Sequence, residues 1–308
     1  MPSMSARAVV GFLKLARAKR VWTDPAAAQR HLDALATRPA KFAPPRRLRP
    51  DVTVTAERGH GWPIYTLRPA GREPVGAMVY AHGGGWVHEI HPLHWRFVAQ
   101  VAAEAGVEVV VPVYPLAPFG TAGEVIPVVA DLVEGARRRC GAAIVAGDSA
   151  GGQIALSTAL MLRDEGRAGP DLTVLIAPAL DSRLTNPDIT AIELVDPWLG
   201  VEGTRVFVEA WRGDLPVEDP RVSPLFGDMT GLGPVTVYCG TVDIVDPDVR
   251  LLVAKLREAG VPVAHHEGHD LIHAYPLLPI REGAQARRAI VREVAQAVRR
   301  TLAGPDGG

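Results

Sequence analysis

Cysteine is scarce: the 308-residue sequence holds two, Cys140 and Cys239, each read on or at the edge of a predicted strand. Thiols so few and so placed support no disulfide framework and fit reduced side chains, as in an intracellular protein. Long apolar runs are missing as well. The longest, Val109 to Phe119, spans 11 residues and carries Pro112, Pro115 and Pro118, against the roughly 20 residues a bilayer-spanning helix needs. Stable membrane insertion is therefore not expected. A secretory signal is not expected either, because the apolar stretch Ala8 to Leu13 is short and no small-residue cleavage site follows it. A soluble, cytoplasmic protein is the resulting expectation.

Net charge is almost absent too, at −1, so no overall positive field argues for nucleic acid as a partner. The balance is uneven along the chain. Residues 1–50 hold eleven Lys/Arg against Asp24 and Asp33, a local charge of +9 that leaves −10 on the remainder. This leader reads as an amphipathic helix with a solvated basic face rather than as a membrane dock. No internal repeat is evident, and low complexity is confined to the tail Gly304–Gly308. With 47% hydrophobic and 22% charged residues, the composition excludes disordered and fibrous classes and leaves a globular protein with a sizeable core.

From residue 75 onward, apolar β-rich runs alternate with longer helical patterns, the mark of a mostly parallel sheet covered on both faces. Strands are predicted at Val75–Ala81, Val107–Val113, Ala142–Ala146, Leu172–Ile176, Val235–Cys239 and Val261–His265. Helical patterns fall near Leu93–Glu104, Glu124–Arg138, Gly151–Glu165, Pro247–Ala259 and Glu282–Leu302. Two earlier runs, Val52–Ala56 and Pro63–Leu67, suit antiparallel edge strands. The region 183–225 breaks the rhythm and reads as an insertion above the sheet, which with residues 1–45 can form a mostly helical lid.

The sharpest local signal is Gly147-Asp148-Ser149-Ala150-Gly151-Gly152, directly after one predicted strand and directly before a helix. A strand that must reverse into a helix so quickly holds the serine in a strained conformation, with glycines where side chains would clash. Ser149 also stands at a helix N-terminus, where unpaired N–H groups favour developing negative charge. A second signal, His82-Gly83-Gly84-Gly85-Trp86, leaves backbone N–H groups uncovered after another strand, the kind of donors that can hold an oxyanion. No Gly-Lys-Ser/Thr follows it, which removes a nucleotide P-loop.

A serine of ordinary pKa needs a base, and the base an orienting acid. Asp243 lies just past the strand Val235–Cys239, and a loop holding His269 and His273 follows the next strand. Asp246 and Asp248 share the first loop as rivals, although Asp248 suits the opening turn of a helix. The order Ser149, Asp243, His273 is that of α/β-hydrolases, with His269 as the alternative base. The run His88, His91, His94 invites a metal reading, but Pro92 should break any helix that would align the three. These histidines are read as loop and cap residues, and no metal site is expected.

Together these residues resemble the hormone-sensitive-lipase-like esterases, a family of α/β-hydrolases. The likeness extends over about 75 to 300, through Tyr114 with Leu116-Ala117-Pro118, Ser223-Pro224-Leu225-Phe226, Gly240 before Asp243, and His273-Ala274-Tyr275. It implies an α/β-hydrolase fold with a mostly parallel eight-stranded sheet, helices on both faces and a helical cap. The chain would divide into an N-terminal part of the cap (1–45), a first core segment (46–182), a cap insertion (183–225) and a second core segment (226–308). It further implies Ser149 as nucleophile, His273 as general base and acid, Asp243 as its orienter, and an oxyanion hole of the Gly83, Gly84 and Ala150 amides. The implied activity is a serine carboxylesterase acting on small-molecule esters of short to medium acyl chain, without a cofactor and often as a homodimer.

Departures are visible in the same motifs. Pro115 and Phe119 stand where the family commonly has Arg and Glu, and the stretch from Gly268 to His273 is longer than expected. Amide, N-acetyl or formamide hydrolysis by the same residues is the alternative enzyme reading. A non-catalytic small-molecule receptor is a third, opposed by an intact Ser149, Asp243 and His273. Trp86, Trp198, Phe207 and Trp211 suit either an apolar substrate site or cap core, and their bulk favours small or medium acyl groups.

Overall fold

The structure is a computed structural model that describes residues 1–37 and 40–304; the Gly/Pro tail, from 305 on, lies outside the described residues. Three helices come first: α1 (Met4–Leu15), α2 (Arg20–Thr23) and α3 (Pro25–Thr37). Strands β1 (Val52–Gly59) and β2 (Trp62–Pro69) follow. Alternation then sets in with β3 (Ala77–Ala81), α4 (Pro92–Ala105), β4 (Glu108–Pro112) and α5 (Ala122–Cys140). It continues with β5 (Ala143–Asp148), α6 (Ala150–Asp164) and β6 (Leu172–Ile176). Between β6 and the next strand lie α7 (Ile189–Glu193) and α8 (Val201–Arg212). Last come β7 (Val235–Val242), α9 (Asp246–Glu258), β8 (Val263–Ile272) and α10 (Arg281–Ala303).

The eight strands form one sheet in the order β1-β2-β4-β3-β5-β6-β7-β8. The two pairings that involve β2 are antiparallel and all others are parallel. Strands β3, β4, β5 and β6 are buried along their whole length, which is why they read as unbroken apolar runs rather than as alternation. Edge strand β1 is exposed over Thr53–Arg58, and Glu57 and Arg58 there discourage pairing with another sheet. Two apolar cores flank the sheet, one on each face.

Cys140 is not at a strand edge: it ends α5, whose last turn carries Arg137, Arg138 and Arg139 before Gly141 turns the chain at φ 76°. Cys239 lies buried on β7. Both thiols are free.

The N-terminal helices form a cap, but they divide the work. Helices α2 and α3 pack on each other and on α8, with Trp22 edge-on to Phe207 at 5.4 Å. Helix α1 instead lies by the start of α10, where Ser3 donates from its backbone and hydroxyl to Glu282 at 2.7 and 2.8 Å. Among the described residues no helix is long and apolar enough to cross a membrane. Because the central strands run parallel, the loops that leave β3, β5, β7 and β8 emerge at one edge, beneath this cap.

Candidate active site

Ser149 occupies the turn between β5 and α6 with φ 53° and ψ −119°, a region that non-glycine residues avoid. The turn is pinned by its own backbone: Ser149 N–H donates to Ile176 O at 2.8 Å, and Ser149 O accepts from Gln153 N and Ala179 N at 3.1 Å each. Its neighbours must be glycine for want of space. A Cβ on Gly147 would stand 2.1 Å from Gly151 O, and one on Gly151 would stand 2.0 Å from Ala81 O.

The strained turn aims the hydroxyl at His273, whose Nε2 is 2.9 Å from Ser149 Oγ. On the other side of the ring, Nδ1 is 2.8 Å from Asp243 Oδ2. An ionised carboxylate can only accept, so Nδ1 carries the proton and Nε2 presents its lone pair to the serine. The second Asp243 oxygen accepts from Val245 N at 3.2 Å. Burial by itself pulls His273 down, but the charge and hydrogen bond of Asp243 outweigh it, and its pKa lies above the ordinary 6.5.

The rivals are held elsewhere. Asp246 pairs with Arg250 at 2.8 Å and Asp248 accepts from Asn186 at 2.8 Å, both in the first turn of α9. His269 is not in a loop: β8 runs on to Ile272, and His269 projects from it with its side chain 82% exposed. The length beyond Gly268 is taken up by a bulge. Gly240 pairs with Gly268 and Val242 with Ile272, so two extra residues are extruded, with Asp270 at φ 59°.

The glycine loop departs from expectation at one atom. Gly83 N–H donates to Asp148 Oδ1 at 2.9 Å, so this amide is already occupied and not free for an oxyanion. Among the described residues no acceptor takes the amides of Gly84, Gly85 or Ala150; the sequence reading had not included Gly85. Asp148 also accepts from Tyr80 Oη at 2.5 Å and from His94 Nε2 at 3.2 Å. Burial would raise its pKa, but His94 and these hydrogen bonds outweigh that and hold it below the usual carboxylate value.

The three histidines are structural in three different ways. His91 caps α4, accepting from Leu93 N at 3.2 Å, while His94 Nδ1 accepts from His91 N at 2.9 Å. His88 reaches Gly84 O through Nδ1 and His31 through Nε2, both at 2.8 Å. Pro92 starts α4, where at the first helical position its missing N–H has no partner to lose, so no helix aligns His88, His91 and His94, as expected. Among the described residues no group of three His, Cys, Asp or Glu side chains could hold a metal.

A cavity of about 530 Å³ opens over Ser149 and His273, lined among others by Trp22, Leu93, Trp198 and Leu277. Of the four aromatics singled out from the sequence, Trp198 lines it and stands edge-on to His273 at 5.8 Å. Trp86, Phe207 and Trp211 are not lining residues. Trp86 stacks on Trp211 at 6.0 Å, both indoles donate to Gln153 Oε1, and Phe207 packs against Trp22 in the cap. Trp22 and Gln153 belong to no motif; a tryptophan in an otherwise basic leader was the signal available for the first. Phe119, one of the departures from the family motif, is exposed.

The sequence family described as alpha/beta hydrolase fold matches residues 78–277. The chain belongs to that family. Within the α/β-hydrolases it is 36% identical over 230 residues to the triacylglycerol lipase of Mycobacterium tuberculosis, covering 73% of this chain and 48% of that one. It thus spans about half the length of that relative. It is 30% identical over 248 residues to the acetyl-hydrolase of Streptomyces hygroscopicus, covering 77% of this chain and 79% of the other. It superposes on the crystal structure of an esterase from the bacterial hormone-sensitive lipase family with a TM-score of 0.79 at 25% identity, over 97% of this chain and 99% of that chain. This chain is accordingly a member of the α/β-hydrolase family of the hormone-sensitive-lipase-like kind.

Proposed function

We propose that the protein is a serine carboxylesterase that cleaves short- to medium-chain acyl esters through an acyl-enzyme. The observation that carries this reading is the unbroken chain from Ser149 Oγ through His273 to Asp243, at 2.9 and 2.8 Å, under an apolar cavity. In this mechanism Ser149 Oγ attacks the ester carbonyl carbon while its proton passes to His273 Nε2. The carbonyl electrons move onto oxygen, and the free amides of Gly84, Gly85 and Ala150 receive that oxyanion. His273 then protonates the departing alkoxide, and the acyl group remains on Ser149. Water, deprotonated by the same nitrogen, releases the acid and returns the proton to the serine. Asp243 keeps the imidazole in the required tautomer and stabilises the imidazolium.

The acyl-chain preference rests on the cavity, whose volume of about 530 Å³ suits a compact ligand, and on the wall that Trp198 makes beside His273. The relatives named above are a triacylglycerol lipase and an acetyl-hydrolase, so acyl length is the property to measure. Ser149→Ala should abolish hydrolysis of p-nitrophenyl butyrate and labelling by an organophosphate. Persistence of either sinks the assignment. A series of p-nitrophenyl esters from acetate to palmitate should peak at short or medium length, and matched amides should turn over far more slowly; a maximum at palmitate, or faster amide cleavage, refutes the substrate class.

A further inference from the structure

Asp196 lies in the insertion, between α7 and α8, with a side chain that no step above uses. It is a carboxylate only 2% exposed. Oδ1 accepts from Trp198 N at 2.8 Å and Leu199 N at 3.0 Å, and Oδ2 accepts from Ile244 N at 3.2 Å. The next amide along, Val245 N, donates to Asp243. Two carboxylates, one from the insertion and one from the end of β7, therefore divide two consecutive amides of the same turn. From the cap side, Lys19 Nζ donates to the Asp196 carbonyl at 2.8 Å and also to Glu193 O. A link thus runs from the start of α2 through Asp196 to the turn that carries Asp243, and through Trp198 to the ring of His273.

Turn formation alone does not account for a carboxylate here. One oxygen suffices for the Trp198 and Leu199 amides, and a second buried negative charge beside Asp243 is unfavourable in itself. Burial, and then repulsion from Asp243, push the Asp196 pKa up to about 6. The charged and titratable groups around it are Asp243 and His273 on the core side and Lys19 on the cap side, with the Glu193 carboxylate turned away onto Val201 N. Asp148 adds a negative charge that His273 also senses.

We propose that Asp196 is a positioning residue for the triad: its carboxylate holds the Asp243 turn and the Trp198 wall in register with His273, and its charge supports the imidazolium that forms when His273 takes the serine proton. The inference rests on the esterase reading above. It also makes docking of the cap, through Lys19, a condition for a correctly seated triad.

Asp196→Asn tests it, because the amide oxygen can still accept from the two turn amides while the charge is gone and an NH₂ group faces Ile244 N–H. With p-nitrophenyl butyrate, kcat should fall on the order of 10-fold or more with KM changed less than about 3-fold, a loss expressed in the transition state. The acid limb of kcat/KM should move to lower pH by about half a unit or more, because His273 loses a negative neighbour. A pH profile that superimposes on the wild type, or a loss confined to KM or to melting temperature, overturns the proposal. Wild-type hydrolysis that Ser149→Ala abolishes keeps the esterase reading apart from this outcome; absence of wild-type hydrolysis sinks that reading instead. Should the variant not fold, carbon-13 and proton NMR of the unmodified protein serve. The Asp196 carboxyl should titrate near 6 and the His273 ring signals should shift with the same midpoint; ring signals that pass that midpoint unmoved overturn the inference.

Discussion

Substituting Gln153 with Met should cost the protein several kcal/mol of stability and loosen the glycine loop at the same time. Gln153 is completely buried and makes four hydrogen bonds. Its Oε1 accepts from Trp86 Nε1 at 2.9 Å and from Trp211 Nε1 at 3.0 Å, while Nε2 donates to Ser157 Oγ at 2.9 Å and to Arg221 O at 2.6 Å. Methionine has nearly the same length and is unbranched, so it leaves little cavity, but its thioether is a weak acceptor and no donor. Two buried indole N–H groups would lose their acceptor at about 1–3 kcal/mol each, or about 2–6 kcal/mol together, and the Arg221 carbonyl would lose a donor in the same direction. Against a typical total of about 5–15 kcal/mol, that is a large fraction. Trp86 closes the glycine loop and Trp211 belongs to α8, so the loss should also disturb the free amides of Gly84 and Gly85 and lower kcat. Urea unfolding followed by tryptophan fluorescence measures the first effect and p-nitrophenyl butyrate turnover the second. A variant within about 0.5 kcal/mol of the wild type, at equal denaturant slope, refutes the account of the indole pair.

Three further outcomes are expected. His273 must be unprotonated at Nε2 to act as base and its pKa lies above 6.5, so kcat/KM should fall on acidification with a midpoint above pH 6.5; a midpoint below that value contradicts the ion pair with Asp243. Gly151→Ala brings a Cβ to 2.0 Å from Ala81 O, a backbone clash that should destabilise by more than about 3 kcal/mol and remove activity, and a well-folded, active variant would contradict the packing described. Asp148 has a depressed pKa in the folded state, so its contribution to stability is present above its unfolded pKa of about 3.9 and is lost as pH falls through the folded value; acid unfolding of Asp148→Asn should accordingly show a weaker pH dependence than the wild type below about pH 4, and parallel curves would count against it.

What was legible in the chain was whatever local sterics and periodicity decide. Gly147 and Gly151 flank a residue in a forbidden backbone region; the turn itself requires the first, through Gly151 O, while the second is also required by Ala81 O on β3. Unbroken apolar runs for β3 to β6 follow from burial on both faces, and β1 and β2 were legible as antiparallel strands, although of the two only β1 is an edge and β2 lies between it and β4. The start of α4 was legible to within one residue, read at Leu93 and found at Pro92; the capping by His91 was not, because it depends on side-chain geometry.

By itself the sequence determined the individual strands, the strained serine turn and the uncovered glycine loop, since each depends on neighbours within a few residues. Tertiary structure decided the rest. Only the bulge in β8 turns His273 inward and leaves His269 exposed, and only the approach of Asp148 to Gly83 N–H decides which amides stay free. Likewise, only the packing of α8 on α2 and α3 buries Phe207 and Trp211 while Trp198 faces the cavity. In each case the deciding partner lies tens of residues away, where contact is governed by register and packing rather than by the order of residues along the chain.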